Sequence, residues 1–399
     1  MKVVWSCPYS LDLLTPFGLK LTRPTGGHAC SWIVNWAAAL AKQPGIDLHI
    51  VTYASRVKQS QSVKCAGYTV HVIRDAIPFI DKSWAGLMNA DAWTGFYARK
   101  RKLLSSIKEL KPDLVHGHGT EEGCGLTAVQ SGVPAVVSIQ GVIAEYQRTN
   151  PHARNRAVMR TEAATVRNGH YFMCRTHFDK SFVRSLNSKA HIFHMPEPMN
   201  PLFFGVDRSK ADAVRILYVG GFDPRKGLEH LLMSVACLKP RFQIVKVDVA
   251  GSGSPERKEY LLSRAKGLGV LDNITFHGFL SAAEIAGLHA KATVFAITSQ
   301  NENSPNTLAE ALCAGTPSVA FDVGGISSMF VDGESGFLVR AGDSTQLAGR
   351  IRDLFLNPEL RWRFSNKSCL DGLLNHPDQV AKATVEAYRV ILANERSRK

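Results

Sequence analysis

The sequence predicts a two-domain α/β protein, each domain an open parallel sheet covered by helices on both faces. Three observations carry this. Short β-rich apolar runs alternate with helix-period segments along the chain. The 399 residues exceed what one ordinary core holds. The alternation is interrupted between about His194 and Ala213 by HMPEPMNPLFFGVDRSKADA, whose prolines and polar residues read as a linker.

In order, KVVWSC opens the chain as a strand through Val3, Val4 and Trp5, and HACSWIVNWAAALAKQ follows as a helix. DLHIVTY, DLVHGH and PAVVSI supply further strands of the first domain, expected over 1–205. VRILYVGG, IVKVDVAG, NITFHG, ATVFAIT and PSVAF are the strands of the second, expected over 210–375, with GLEHLLMSVACLK a helix between the first two. The C-terminal DQVAKATVEAYRVILANERSRK has apolar residues at helical spacing and a basic end, and a helix over 377–396 is expected to cross back to the first domain.

With 45% hydrophobic and 21% charged residues the chain has a globular composition. The net charge of +14 is uneven: residues 1–200 hold 24 Lys and Arg against 13 Asp and Glu, the remainder 24 against 21. A basic first half suits nucleic acid, an anionic membrane surface or an acidic glycan, and equally a general solubility charge. The eight cysteines form no C-x-x-C pair, so neither a zinc site nor a disulfide framework is indicated, and a reducing cytosol is expected. No signal peptide and no bilayer-length apolar run is visible, so a soluble or peripheral protein is expected.

The densest chemistry lies in SQNENSPNTLAEALCAGTPSVAFDVGG, residues 299–325. A strand ends in a polar loop holding Glu302, Ser304 and Pro305. A helix then starts near Asn306 or Thr307 and carries Glu310. Free N–H groups at a helix start suit a diphosphate. Glu302 can accept from sugar hydroxyls and Glu310 from a ribose; both acids would also serve simply to favour the helix dipole. Arg225 and Lys226 follow the strand RILYVGG, where cations stabilise a departing diphosphate as its charge grows. Gly26 and Gly27 open the first helix, as a phosphate-approaching loop or a plain turn. His118 ends DLVHGH, where such folds bind ligands, and His116, deeper on the same side, reads as structural. GSGSPE, Gly251 to Glu256 with Asp272 beyond, has the outline of a dinucleotide loop, but Glu256 occupies the third glycine position and a nicotinamide site is not expected. Residues 83–104 place Trp84, Trp93, Phe96 and Tyr97 beside Arg99 to Lys102. They read as an anionic-membrane contact or as a packed helix with a solvated basic face. Arg148, Arg154, Arg156, Arg160 and Arg167 bind an anionic acceptor or are simply exposed.

Glu302 and Glu310 as E-x7-E, then ALCAGTP, VGG and VDGESGFLV, resemble the donor-site signature of the family 4 retaining glycosyltransferases of GT-B fold. TGGHACSWIVNWAAALA, PDLVHGHGTEEG, LYVGGFDPRKGLEHLL, VAGSGSPE and NITFHGFLSAAEI resemble the family's other motifs, in its order. The resemblance implies two facing Rossmann-like domains with an interdomain cleft, the first binding the acceptor and the second a nucleotide diphosphate sugar. It implies catalytic or transition-state roles for His118, Arg225, Lys226 and Glu302. Donor contacts are implied at Gly26, Gly27, Gly251, Gly253, Gly278, Phe279, Ser304, Pro305, Asn306, Thr307 and Glu310. The family usually has an Arg at Gly221, and Arg225 is the candidate substitute.

The expected activity is metal-independent transfer with retention, by front-face attack, to a glycan or an anionic or lipid-linked acceptor, as in bacterial surface polysaccharide or glycoconjugate synthesis. No cofactor beyond the nucleotide sugar is expected, and no nucleic acid. The expected location is the cytoplasm, with peripheral contact at the inner face of the cell membrane through 83–104. A GT-B nucleotide-sugar epimerase and a non-catalytic sugar-binding protein are the alternatives.

Overall fold

A computed structural model describes residues 1–22, 30–75, 90–149 and 151–398. The chain divides into two compact units, one of residues 1–198 with 377–399 and one of residues 199–376.

The first unit runs β1 (Lys2–Ser6), α1 (Ser31–Leu40), β2 (Asp47–Ala54), β3 (Gln61–Cys65), β4 (Tyr68–Arg74), α2 (Ala90–Trp93), α3 (Tyr97–Leu110) and β5 (Leu114–His118). It continues through α4 (Cys124–Val129), β6 (Ala135–Ser138), α5 (Ile143–Thr149), α6 (Ala153–Asn168), β7 (Tyr171–Cys174), α7 (His177–Leu186) and β8 (His191–His194). The second runs β9 (Arg215–Val219), α8 (Leu228–Leu238), β10 (Lys246–Ala250), α9 (Pro255–Gly267), β11 (Ile274–Gly278), α10 (Ala282–Lys291) and β12 (Val294–Ile297). Then come α11 (Asn306–Cys313), β13 (Ser318–Phe321), β14 (Gly336–Val339), α12 (Ser344–Leu356) and α13 (Pro358–Gly372), before α14 (Pro377–Ser397) rejoins the first unit.

The first sheet has strand order β3-β4-β2-β1-β5-β6-β7-β8, parallel except for β3 against β4. The second has order β11-β10-β9-β12-β13-β14 and is parallel throughout. β5 and β7 are buried at every position; β7 reads as an unbroken apolar run, while β5 carries His116 and His118 within its buried length. Each sheet has one switch point, where successive crossovers leave in opposite directions: between β1 and β5, and between β9 and β12. The crevice beyond the carboxyl ends at such a point is where doubly wound sheets bind ligands.

One face of the first sheet is sealed by α1 and α14. Trp5 and Trp36 pack edge to face with ring centroids 5.7 Å apart, and Tyr388 of α14 is fully buried with them. Their polar atoms are paired in the apolar layer. Trp5 Nε1 donates to the Tyr388 hydroxyl (3.0 Å), His116 Nδ1 lies 2.7 Å from that hydroxyl, and Trp36 Nε1 donates to Thr384 Oγ1 (2.9 Å). A buried donor stripped of its acceptor costs about 1–3 kcal/mol. Tyr388→Phe is therefore expected to lower the stability of the first unit by about that amount, read as a lower urea midpoint by tryptophan fluorescence. An unchanged midpoint would show that α14 is not held by this network.

Candidate active site

After β9 the chain makes a tight turn. Asp223 Oδ1 accepts from Arg225 N (2.9 Å), capping a 3-10 turn over Pro224–Lys226, and Gly227 at φ 63 opens α8. A side chain at Gly227 would have its Cβ 2.0 Å from the carbonyl oxygen of Thr298, so glycine is required to seat this turn against the end of β12. The two loops are laced together: Gln300 N donates to Arg225 O (2.8 Å) and Arg225 Nη1 donates to Asn301 O (3.0 Å). At the junction Lys226 Nζ donates to Glu302 Oε1 at 2.5 Å, with the glutamate side chain 8% exposed and the lysine 25%. The β13 side holds Glu302 from behind. Gly325 N donates to Glu302 O (3.0 Å), and a Cβ on Gly324 would lie 1.8 Å from that oxygen.

Three residues beyond Glu302, Pro305 caps α11 without any side-chain hydrogen bond to the helix start. The N–H groups of Asn306 and Thr307 thus open the helix uncapped by a side chain, which suits an anion. Both side chains are partly exposed, Pro305 is buried, and Ser304 Oγ lies 3.8 Å from Met329 Sδ. Glu310 stands on the second turn. Burial pushes its carboxyl up to about 8, and among the described residues no hydrogen bond reaches it.

The glycines after β10 do something the sequence did not disclose. A Cβ on Gly251 would fall 1.8 Å from Gly220 O, and one on Gly253 2.6 Å from the Phe222 Cβ. They let the β10 loop close on the β9 loop. Glu256, at the third glycine position of the dinucleotide outline, is exposed on the first turn of α9 and does not lie between helix and strand. Gly278, at φ 75, has open space around it, and Phe279 beyond it is 80% exposed. Gly221 has only Ser252 O at 3.5 Å near its missing Cβ, so packing does not demand glycine there.

In the first unit Gly26 and Gly27 lie outside the described residues. His116 is buried with both nitrogens engaged, by Tyr388 and by Ser138 Oγ (2.7 Å), and burial lowers it to about 3, so it is neutral. His118 is 1% exposed, stacked 3.9 Å from His116 against Trp5 and Trp36, with neither ring nitrogen hydrogen-bonded. Burial, then His116 and Arg175, hold it well below the usual histidine range. The ends of β5 to β8 also gather residues that sequence reasoning missed. Arg175 forms a buried ion pair with Glu197 and donates to Gln140 O (3.3 Å). Glu121 accepts from Gly141 N (2.8 Å). Glu162 accepts from Thr120 Oγ1 and from the first amides of α5, and burial still raises it to about 7. Arg175 follows β7 and Glu197 follows the neighbouring β8, so no local spacing signals their pairing.

Among the described residues no group of three His, Cys, Asp or Glu side chains could hold a metal, and no helix is long and apolar enough to cross a membrane.

The family model described as Glycosyltransferase Family 4 matches residues 31–198, and that described as Glycosyl transferases group 1 matches residues 203–369. The chain belongs to glycosyltransferase family 4. Among relatives of this family 4 chain is the D-inositol 3-phosphate glycosyltransferase of Streptomyces avermitilis. It is 31% identical over 194 residues, 47% of this chain and 42% of that one. Another is the phosphatidyl-myo-inositol mannosyltransferase of Mycobacterium leprae, 36% identical over 151 residues, 37% of this chain and 39% of that one. The matched stretch is thus under half of each relative's length. The sucrose-phosphate synthase of Thermosynechococcus elongatus superposes with a TM-score of 0.80 at 18% identity, covering 99% of this chain and 100% of that one. Anabaena HepE in complex with UDP superposes with a TM-score of 0.70 at 14% identity, covering 98% and 100%. These likenesses give the family its GT-B fold here.

The raised Glu310 carboxyl makes stability depend on pH. The folded state holds its proton more tightly than the unfolded chain, whose value is near 4.5. Its contribution is therefore fully present below pH 4.5 and is lost as pH rises through about 8. Glu310→Gln is expected to flatten the fall in stability between these limits, measured by urea unfolding across the range. Equal pH slopes for variant and wild type would contradict a Glu310 carboxyl held protonated in the folded state.

Proposed function

We propose that the chain transfers a glycosyl group from a nucleoside diphosphate sugar to a hydroxyl acceptor, with retention and without a metal. The second unit would bind the donor and the first the acceptor. The observation that carries this is the Lys226–Glu302 pair at the β9/β12 switch point, three residues before an uncapped helix start. A cation and free backbone amides that converge at a strand-end crevice suit a diphosphate. Family membership supports the donor class, and the structural likeness to HepE, a protein solved with UDP, supports a nucleotide at this edge.

In the reaction proposed, the bond between the anomeric carbon and the β-phosphate oxygen breaks. The acceptor oxygen attacks from the same face, and its proton passes to the departing phosphate. Lys226 and the Asn306–Thr307 amides stabilise the charge that grows on that phosphate. Glu302 takes a sugar hydroxyl, Glu310 the ribose, and Arg225 stands in for the missing Arg at Gly221. Gly251, Gly253 and Gly278 would shape the nucleotide edge, with exposed Phe279 beside it. In the first unit the free ring nitrogens of His118 would take a sugar hydroxyl. The acceptor proposed is a glycan, anionic or lipid-linked. Peripheral contact with an anionic membrane is part of the same reading: Trp93 and Tyr97 are about half exposed, with Arg160 and Arg101 over their rings.

Thermal shift against UDP-, GDP- and ADP-sugars tests the donor class. At least one is expected to raise the melting temperature, since a ligand of the native state stabilises it; no shift with any would remove the reading. With the donor so found, Lys226→Ala is expected to lower turnover by roughly 10²–10³-fold, the scale of losing one preorganised charge stabiliser. Turnover near wild type would discard the role given to Lys226.

A further inference from the structure

The loop from Gly220 to Lys226 carries the cation on which the donor reading rests. Its own sequence does little to hold it still. Two adjacent glycines open it, and glycine backbone loses more freedom on being fixed than any other. Residue 221 has no side chain to tie the loop down, and nothing packs closer to its missing Cβ than Ser252 O at 3.5 Å. The loop's position must be set from outside it.

Tyr218, near the end of β9, lies beneath the loop and is 3% exposed. A Cβ on Gly220 would lie 3.1 Å from its hydroxyl. That hydroxyl is shared between Gly221 O (3.2 Å) and Lys226 O (3.4 Å), so one donor clasps both ends of the loop. Burial, then Glu302 and Glu229, holds it well above the usual tyrosine range, so it stays a donor. Thr298 Oγ1, just past β12, also donates to Lys226 O (3.2 Å).

Arg257, on the first turn of α9, holds the middle of the loop. Its backbone N donates to Ser254 Oγ (3.2 Å), which fixes the root of the side chain. Its Nε donates to Phe222 O (2.7 Å), and its Nη2 pairs with Glu229 on the first turn of α8. The guanidinium also stacks over the Tyr260 ring, 4.7 Å from its centroid. A charged donor with this many anchors makes a strong hydrogen bond to a neutral carbonyl. Phe222 itself is buried, and its N donates to Ser252 O (3.0 Å). Three carbonyls of the loop are therefore held by side chains rooted on β9, α9 and the end of β12. These side chains grip the loop backbone, and Lys226 is left to act through its ammonium.

We propose that Tyr218 and Arg257 are positioning residues for the donor phosphate. By holding the carbonyls of Gly221, Phe222 and Lys226 they fix the turn from which Lys226 reaches the diphosphate. A loop ordered in advance does not have to be ordered by the ligand, and affinity rises accordingly. The inference rests on the donor reading of the Lys226–Glu302 crevice and adds to it two residues that touch neither phosphate nor sugar.

The test is calorimetric titration of UDP, GDP and ADP into the full chain, to find the diphosphate that binds. Its affinity is then measured for Tyr218→Phe and Arg257→Met, each alone and combined with Lys226→Ala. Tyr218→Phe is expected to weaken binding about fivefold, the scale of one hydrogen bond, and Arg257→Met at least as much. In the Lys226→Ala background each is expected to cost about twofold or less, because both act through that lysine. Arg257→Lys, which keeps a donor for Phe222 O, is expected to recover part of the loss. Arg264→Met, exposed on α9 away from the loop, is expected to bind as wild type does. The inference is overturned if either Tyr218→Phe or Arg257→Met binds as wild type does. It is overturned equally if their losses are the same with and without Lys226, since a merely structural role would lower affinity whatever stands at that position. If wild type binds none of the three diphosphates, the donor reading fails and this inference fails with it. The melting temperature of each variant shows that it is folded.

Discussion

The second unit is organised around the contact between the β9 and β12 loops, where Lys226 meets Glu302. Three close backbone approaches surround that contact. Gly227 lies against Thr298, Gly251 against Gly220 and Gly324 against Glu302, each too close for a side chain. Two of the three lock Lys226 and Glu302 directly, and the third steadies the strand-end loop next to them. A mostly buried ion pair is a poor device for stability alone, because desolvating both charges offsets most of their attraction. At a sheet's switch point it has another use. Each partner holds the other in the place where a ligand's phosphate or hydroxyl would take over.

The first unit shows how one strand separates framework from function. His116 and His118 are two residues apart on β5 and point to the same face. His116 is satisfied on both nitrogens and ties β5 to α14 through Tyr388. His118 is as deeply buried and satisfied on neither. Unpaired buried nitrogens are costly, and in native structures such an exception needs a cause. The ring sits at the carboxyl end of β5 beside the β1/β5 switch point, where a ligand hydroxyl would supply one.

Much of this was legible in the sequence, because buried parallel strands are mostly apolar and the loops that follow them carry most of the polar residues. Lys226, Glu302 and the start of α11 could be placed on that basis alone. What surrounds a residue could not. The covering of His118 comes from Trp36 and the network of Tyr388, distant in the chain, and no local pattern announces it. Arg175 and Glu197, which follow the paired strands β7 and β8, meet across the chain. The close approach of Gly251 to Gly220 O is likewise set by a loop distant in the chain. The basic character of the first half also reads differently in three dimensions. Arg99, Arg154 and Arg175 are each matched by carboxylates.

The central claim is that Lys226 exchanges Glu302 for a donor phosphate. Calorimetric titration of the nucleoside diphosphate into wild type, Glu302→Gln and Lys226→Ala tests it most directly. The account predicts that Glu302→Gln, by freeing the ammonium, binds the nucleotide more tightly than wild type, and that Lys226→Ala binds it more weakly. Weaker or equal binding by Glu302→Gln, together with unchanged binding by Lys226→Ala, would contradict it.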